Sequence, residues 1–214
     1  MRVLLIDHGN CDHPHTRVHG LRAGLAALGI EAGACGPSSV PGLGEQPPGM
    51  YGIHLHDVAA ASRSFIAAVK DGSPQAFLAA TAGVPARLLG LTRETARQMI
   101  AEAVDVLYPD AIFVLHAGIL TDLAVETGAP VVVHVTADDL AAARERPSLA
   151  SLVAAAIGSC TIVVAADDTT AATLKAEWLH DAADVETRVQ CWPLAADAAT
   201  RIAIACRLAR RRSP

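Results

Sequence analysis

Five short apolar runs punctuate the chain: Val3–Ile6, Ile112–Leu115, Val131–Val135, Ile162–Ala165 and Val189–Trp192. They are rich in β-branched residues, and the first four are continuous rather than alternating. A strand reads this way when both faces of its pleat are buried, as in a parallel sheet. Ile30–Ala34 and Tyr51–His54 are two further candidate strands. Between the runs the apolar period becomes helical. Val18, Leu21, Leu25 and Leu28 share one face after Thr16, and Gly29 supplies the stop. Met99, Ala103 and Leu107 line a second helix that ends before Pro109. Ile119, Leu120, Leu123 and Ala124 mark a third, stopped by Gly128. Ala171, Leu174 and Trp178 mark a fourth, capped by Asp167 or Asp168, and Ala198, Ile202 and Ala205 the last. Strands alternating with helices are joined by right-handed crossovers, so the pattern predicts a doubly wound, mostly parallel, Rossmann-like α/β sheet. Gly36–Gly49, with four prolines and four glycines, reads as a loop. Residues 57–107 carry two or three helices without a clear strand and read as a helical insertion on the sheet's edge, within one domain spanning 1–214.

Composition narrows the class. A chain of 214 residues suits one domain with a sizeable core, and 52% hydrophobic against 18% charged residues excludes a disordered chain. The longest apolar runs fall far short of the ~20 residues a membrane helix needs. The N-terminus enters a strand at once instead of a basic-then-apolar leader, so the expected location is cytoplasmic. Net charge is −5, and the basic residues are scattered except for Arg207, Arg210, Arg211 and Arg212. Those four read as the solvated end of a helix, where cations complement the dipole, so no nucleic-acid partner is expected. The five cysteines form no C-x-x-C pair and read as reduced thiols.

In open parallel sheets ligands bind beyond the carboxyl ends of the strands, so residues leaving each strand are the candidates. The first strand runs into Asp7, His8, Gly9, Asn10, Cys11, Asp12, His13, Pro14 and His15. Later strands deliver His54, His56 and Asp57; His116 and Gly118; His134, Thr136, Asp138 and Asp139; and Asp167, Asp168 and Thr169. Eight of the nine histidines fall on or near this edge, His180 excepted. Three readings compete for them. In the first, they are polar strand ends bonded to nearby backbone. In the second, they hold a metal: His13 with His15, or His54 with His56, face one side of a strand, and zinc takes three or four such ligands. Such a site would use His8, His13 and His15 with His54, His56 or His116, but the spacing matches no zinc signature, so no metal is expected. In the third, imidazoles and carboxylates line a sugar cleft and one histidine acts as general base. Gly9 stands alone where a dinucleotide loop needs three glycines, and neither a P-loop nor a G-x-S-x-G elbow occurs. A phosphate could still meet helix N-termini near Thr16, Gly118 or Asp168.

The order of segments resembles the N-terminal domain of family 4 glycosyltransferases of the GT-B fold. MRVLLIDHGNCDHPHTRVHGLRAGLAALGIEA looks like that family's opening strand, loop and helix, whose loop faces the donor phosphates. YPDAIFVLHAGILTDLAVETGAPVVVHVTADDL is similar to its strand–helix–strand with a histidine after the first strand. SCTIVVAADDTTAATLKAEWL and TRVQCWPLAAD look like the two strands that follow, so the likeness covers residues 1–34 and 108–197. It implies catalytic roles for His116, at the cleft, and Asp139, on the acceptor side. The substrate-binding residues expected beside them are His8, Asn10, His13, His15, Thr16, Gly118, His134, Thr136 and Asp138. The chain departs from the family in three places. Asp12-His13-Pro14-His15 replaces paired glycines, Thr136-Ala137 replaces a histidine-glycine, and Pro214 ends the chain where the family begins its nucleotide-sugar domain. The expectation is therefore the acceptor-binding half, or subunit, of a split glycosyltransferase. It would bind a small-molecule acceptor, hold no cofactor of its own, and take its nucleotide-sugar donor from a second chain or a further copy. The alternatives are a non-catalytic binding or scaffold protein built on that fold, and a histidine-rich metal-binding protein. The latter rests on LLIDHGNCDHP, which resembles the start of small metal-chelatase subunits.

Overall fold

The computed structural model describes residues 1–9, 11, 17–38, 48–54, 67–68, 73–179, 184–195 and 197–212, with the backbone alone for residue 54. Among the described residues seven strands are seen: β1 Arg2–Ile6, β2 Glu31–Ser38, β3 Met50–His54, β4 Ala111–Val114, β5 Val131–Val135, β6 Ile162–Ala165 and β7 Val189–Cys191. They form one parallel sheet in the order β3-β2-β1-β4-β5-β6-β7. The chain winds one way from β1 to β3 and the other way from β4 to β7. Its switch point therefore lies between β1 and β4, where the connections diverge and leave a crevice.

The helices of the described residues are α1 Arg17–Ala27, α2 Pro74–Gly83, α3 Ala86–Leu107, α4 Thr121–Glu126, α5 Ala137–Arg144, α6 Pro147–Ser159, α7 Asp168–Thr173, α8 Val185–Arg188 and α9 Ala198–Arg212, with a π-helical turn at Leu174–Trp178 continuing α7. They cover both faces of the sheet. Val3, Leu5, Phe113, Val132 and Val164 join a core with Val18, Leu21 and Leu25 of α1 and Ile202 and Cys206 of α9. Leu4, Ile6, Ile112, Val114, Val133 and Val163 join the opposite core, with Ile100 of α3, Leu123 of α4, Leu140 of α5 and Val153 of α6. Successive strand residues thus enter different cores, which is why their sequences are apolar without alternation. The expected doubly wound α/β sheet is the observed one. Among the described residues no helix is long and apolar enough to cross a membrane.

Several details differ from expectation. β2 continues to Ser38, so Gly36, Pro37 and Ser38 belong to a strand rather than a loop. Pro37 lies opposite Ile53 of β3, and its carbonyl accepts the Cys11 N–H at 2.8 Å, so the segment is bonded from both sides. Gly36 lets the β1 loop approach closely, because a Cβ there would lie 3.0 Å from the Asp7 carbonyl oxygen and 3.1 Å from that of Gly9. α1 stops at Ala27, and Leu28 is 46% exposed instead of sharing the buried face. Gly29, at φ 70°, turns the chain away there. The described part of 57–107 consists mainly of α2 and α3. α3 carries the chain from β3 to β4 and buries Ala96, Ile100, Ala103 and Leu107 against the sheet, a layer position rather than an edge one. Ile119 and Leu120 are buried but precede α4, and of the two candidate caps for α7 it is Asp167 whose carboxylate accepts the Thr170 N–H, at 2.7 Å.

Candidate functional site

β1, β4 and β5 end nearly level, with Ile6 beside Val114 and Val114 beside Val133. The residues that follow, Asp7-His8, Leu115-His116 and His134, therefore emerge together over the switch point. His116 faces α5, where its Nδ1 lies 3.1 Å from Oδ1 of Asp139. The other carboxylate oxygen accepts the Ala117 N–H at 3.2 Å and the Thr136 N–H at 2.9 Å. Thr136 closes a capping box: its hydroxyl accepts the Asp139 N–H at 3.2 Å. Asp139 is 1% exposed and His116 5%. With Nδ1 engaged, Nε2 is the ring atom left to meet a ligand.

His8 and His134 flank this pair. The His8 Nε2 accepts the Leu120 N–H at 3.3 Å, so the neutral ring carries its hydrogen on Nδ1, which finds no partner among the described residues. His134 has the opposite polarity. Its Nδ1–H donates to the Leu115 carbonyl at 3.3 Å, leaving Nε2 a buried acceptor without a donor among the described residues. The ring of His8 leans on Phe77 of α2, centroids 5.9 Å apart, and that of His134 on Trp192, 6.3 Å apart. Gly118 makes room for His8: a Cβ on it would lie 2.6 Å from the His8 Nε2 and 2.4 Å from Leu78 Cδ2. α2 thus covers this side of the edge, and the gap lined by Leu78, Thr81, Gly118 and Asp139 is too tight for a water molecule.

Electrostatics separate the three imidazoles. Burial, reinforced by the charge on His116, lowers His8 to about 3 against the partial offset of Asp139. The same two causes lower His134 to about 4. For His116 burial again pulls down, but the hydrogen bond and charge of Asp139, helped by Asp7, outweigh it and raise this ring above its ordinary value. Of the three imidazoles His116 is therefore the one whose protonated form its surroundings favour, while its neighbours are held neutral.

The structure brings together His8, His116, Gly118, His134, Thr136 and Asp139 from the expected set. Asp138, in the first turn of α5, points into solvent. The Thr136 side chain is occupied by Asp139 and is not presented outward. Asn10, His13, His15 and Thr16 lie outside the described residues, as does His56. Among the described residues no three His, Cys, Asp or Glu side chains converge as a metal-binding group. Sequence reasoning missed Arg17, for which no motif or period speaks. It opens α1, donates to the Leu194 carbonyl after β7, and lies close enough to Asp7, His116 and His134 to interact electrostatically with the edge. His19 was counted at this edge without a role; it bonds the Cys11 carbonyl at 3.0 Å and ties the β1 loop to α1.

The sheet order defines a fold class: a Rossmann-like, seven-stranded, all-parallel α/β fold, which GT-B glycosyltransferases share. Among solved structures the chain is similar to sucrose-phosphate synthase from Thermosynechococcus elongatus, with a TM-score of 0.56 at 12% identity over 99% of this chain and 98% of that one. Two weaker likenesses are to the UDP-GlcNAc 2-epimerase of Neisseria meningitidis (TM-score 0.45, 11% identity, 89% of this chain) and a glycosyltransferase of Streptomyces sp. SF2575 (0.41, 14%, 77%). This chain spans 45% and 50% of those two proteins. No protein-family description and no curated protein matches the sequence.

Proposed function

We propose that this chain is the acceptor-binding half of a GT-B-type glycosyltransferase, that a further domain or chain holds the nucleotide-sugar donor, and that His116 is its general base. The observation that carries the reading is the His116–Asp139 pair at the switch point, with Nε2 as its outward atom. In the reaction the acceptor hydroxyl attacks the anomeric carbon of the donor and gives its proton to Nε2. The bond from that carbon to the nucleotide's phosphate oxygen breaks, and the nucleotide leaves with the bonding electrons. Asp139 keeps Nδ1 protonated and stabilises the imidazolium that forms, as a carboxylate does behind a catalytic histidine. The fold likeness to sucrose-phosphate synthase supports the scaffold part of this reading.

The test is saturation-transfer NMR of the purified protein against a panel of mono- and oligosaccharides, followed by transfer assays with nucleotide sugars and the donor half supplied. Sugar binding is expected in the wild type, and His116→Ala should retain it while lowering transfer ~10²–10⁴-fold. Absence of binding across the panel would sink the proposal. A second reading, a non-catalytic binding protein on the same fold, draws support from the deep burial of His116 and Asp139. In that case His116→Ala would leave ligand or partner binding intact, and no donor half would restore turnover.

A further inference from the structure

Asp139 divides its two oxygens between different tasks. Oδ1 meets the His116 ring, and Oδ2 is held by two backbone N–H groups, those of Ala117 on the β4 side and Thr136 on the β5 side. Two donors on one oxygen fix the plane of the carboxylate as well as its position. Thr136 does more than a backbone donor requires, because its hydroxyl also accepts the Asp139 N–H and so fixes the residue from its own main chain. The carboxylate is fully enclosed, with Leu140 and Ala143 buried just beyond it on α5, so water cannot replace a lost bond.

We propose that Thr136 is a positioning residue: by clamping Asp139 at both backbone and side chain it holds His116 in the single tautomer that carries hydrogen on Nδ1 and presents the Nε2 lone pair to the ligand. What Nε2 then does rests on the function proposed above; the clamp itself rests on the hydrogen-bond geometry alone. The rival account is that Thr136 merely caps α5, as Thr does at many helices. A cap acts on helix stability and has no reason to set the tautomer of an imidazole on another strand.

Ring tautomer and titration of His116, read by nitrogen-15 NMR and assigned with His116→Gln, separate the two. In the wild type the neutral ring should show Nδ1–H and titrate above the ordinary histidine midpoint. Thr136→Val keeps the branched shape and removes the hydroxyl. It should bring in the second tautomer and lower the midpoint by about half a unit or more. Thr136→Ser restores the acceptor and should restore both signals. The proposal is overturned if the valine variant melts earlier yet leaves tautomer and midpoint unchanged. Should that variant not fold, the wild type alone decides: a neutral His116 with hydrogen on Nε2 refutes the clamp. A protein that passes these tests but transfers no sugar would sink the proposed function and leave the clamp standing.

Discussion

A single methyl group at Gly118 tests the geometry of the edge. In the structure that methyl would lie 2.4 Å from Leu78 Cδ2 and 2.6 Å from the His8 Nε2. Leu78 is the far end of a flexible side chain and can turn aside. His8 cannot, because it is fully buried, leans on Phe77 and accepts the Leu120 N–H. Overpacking of a closed core costs about 1–3 kcal/mol, and losing the His8–Leu120 bond adds about 1 kcal/mol. Gly118→Ala should therefore lower stability by about 2–4 kcal/mol, and for a chain of this size each kcal/mol moves Tm by about 2–4 °C. Gly90 is the control: it lies inside α3, exposed, with nothing within 4 Å of an added Cβ. Gly90→Ala should stabilise by about 0.5–1 kcal/mol through backbone entropy. Urea unfolding and calorimetry read both. A Gly118→Ala protein that melts within a degree of wild type, beside a Gly90→Ala protein that behaves as expected, would mean that α2 and His8 do not meet Gly118 as described.

Stability should also fall with acid. His8 and His134 titrate at about 3 and about 4 in the folded protein but near 6.5 when unfolded, so the unfolded chain binds the protons first as pH drops, and each ring withdraws about 2 kcal/mol between pH 7 and pH 5. His116 has the opposite sign, its contribution being complete only below the unfolded value and lost as pH rises through its raised one, so it offsets a small part of the fall. Urea midpoints at the two pH values should show the loss, His134→Gln should remove about half of it, and a flat profile would refute neutral burial of the pair. Asp139→Asn should lower the His116 midpoint, because burial would then be opposed by Asp7 alone; NMR titration reads it, and no drop would exclude the pairing. Arg17→Met removes a charge that depresses His116 and should raise that midpoint further; a fall would place Arg17 elsewhere.

Much of this was legible in the chain, for identifiable reasons. Val131–Val135 announces itself because both faces are enclosed and no polar residue is tolerated before His134. β2 was harder, because its sequence EAGACGPS has no β-branched residue. Its small residues answer to neighbours: a Cβ on Gly33 would meet Leu107 of α3 at 3.0 Å, and one on Gly36 would meet the β1 loop. That requirement comes from tertiary packing and leaves no periodic trace. α5 and α6 escaped notice because alanine fills much of both, so the contrast between buried and exposed faces is faint. His116 and Asp139 were visible as strand-end residues, and Thr136 three places before Asp139 has the spacing of a capping box. What spacing alone could not reveal is that the boxed carboxylate has a spare oxygen aimed at another strand.

That spare oxygen decides what the edge can do. Three imidazoles emerge side by side, and burial pushes each of them toward neutrality. Asp139 reverses the push for His116 alone. The edge then presents one titratable base between two rings of fixed and opposite polarity, His8 with an unsatisfied Nδ1–H and His134 with an unsatisfied Nε2. An unsatisfied buried donor and acceptor each cost about 1–3 kcal/mol, and both atoms are enclosed, so that cost falls on the fold. The pairing with Asp139 therefore leaves His116, of the three rings, as the one placed to exchange a proton at this edge, which is what the proposed general base requires.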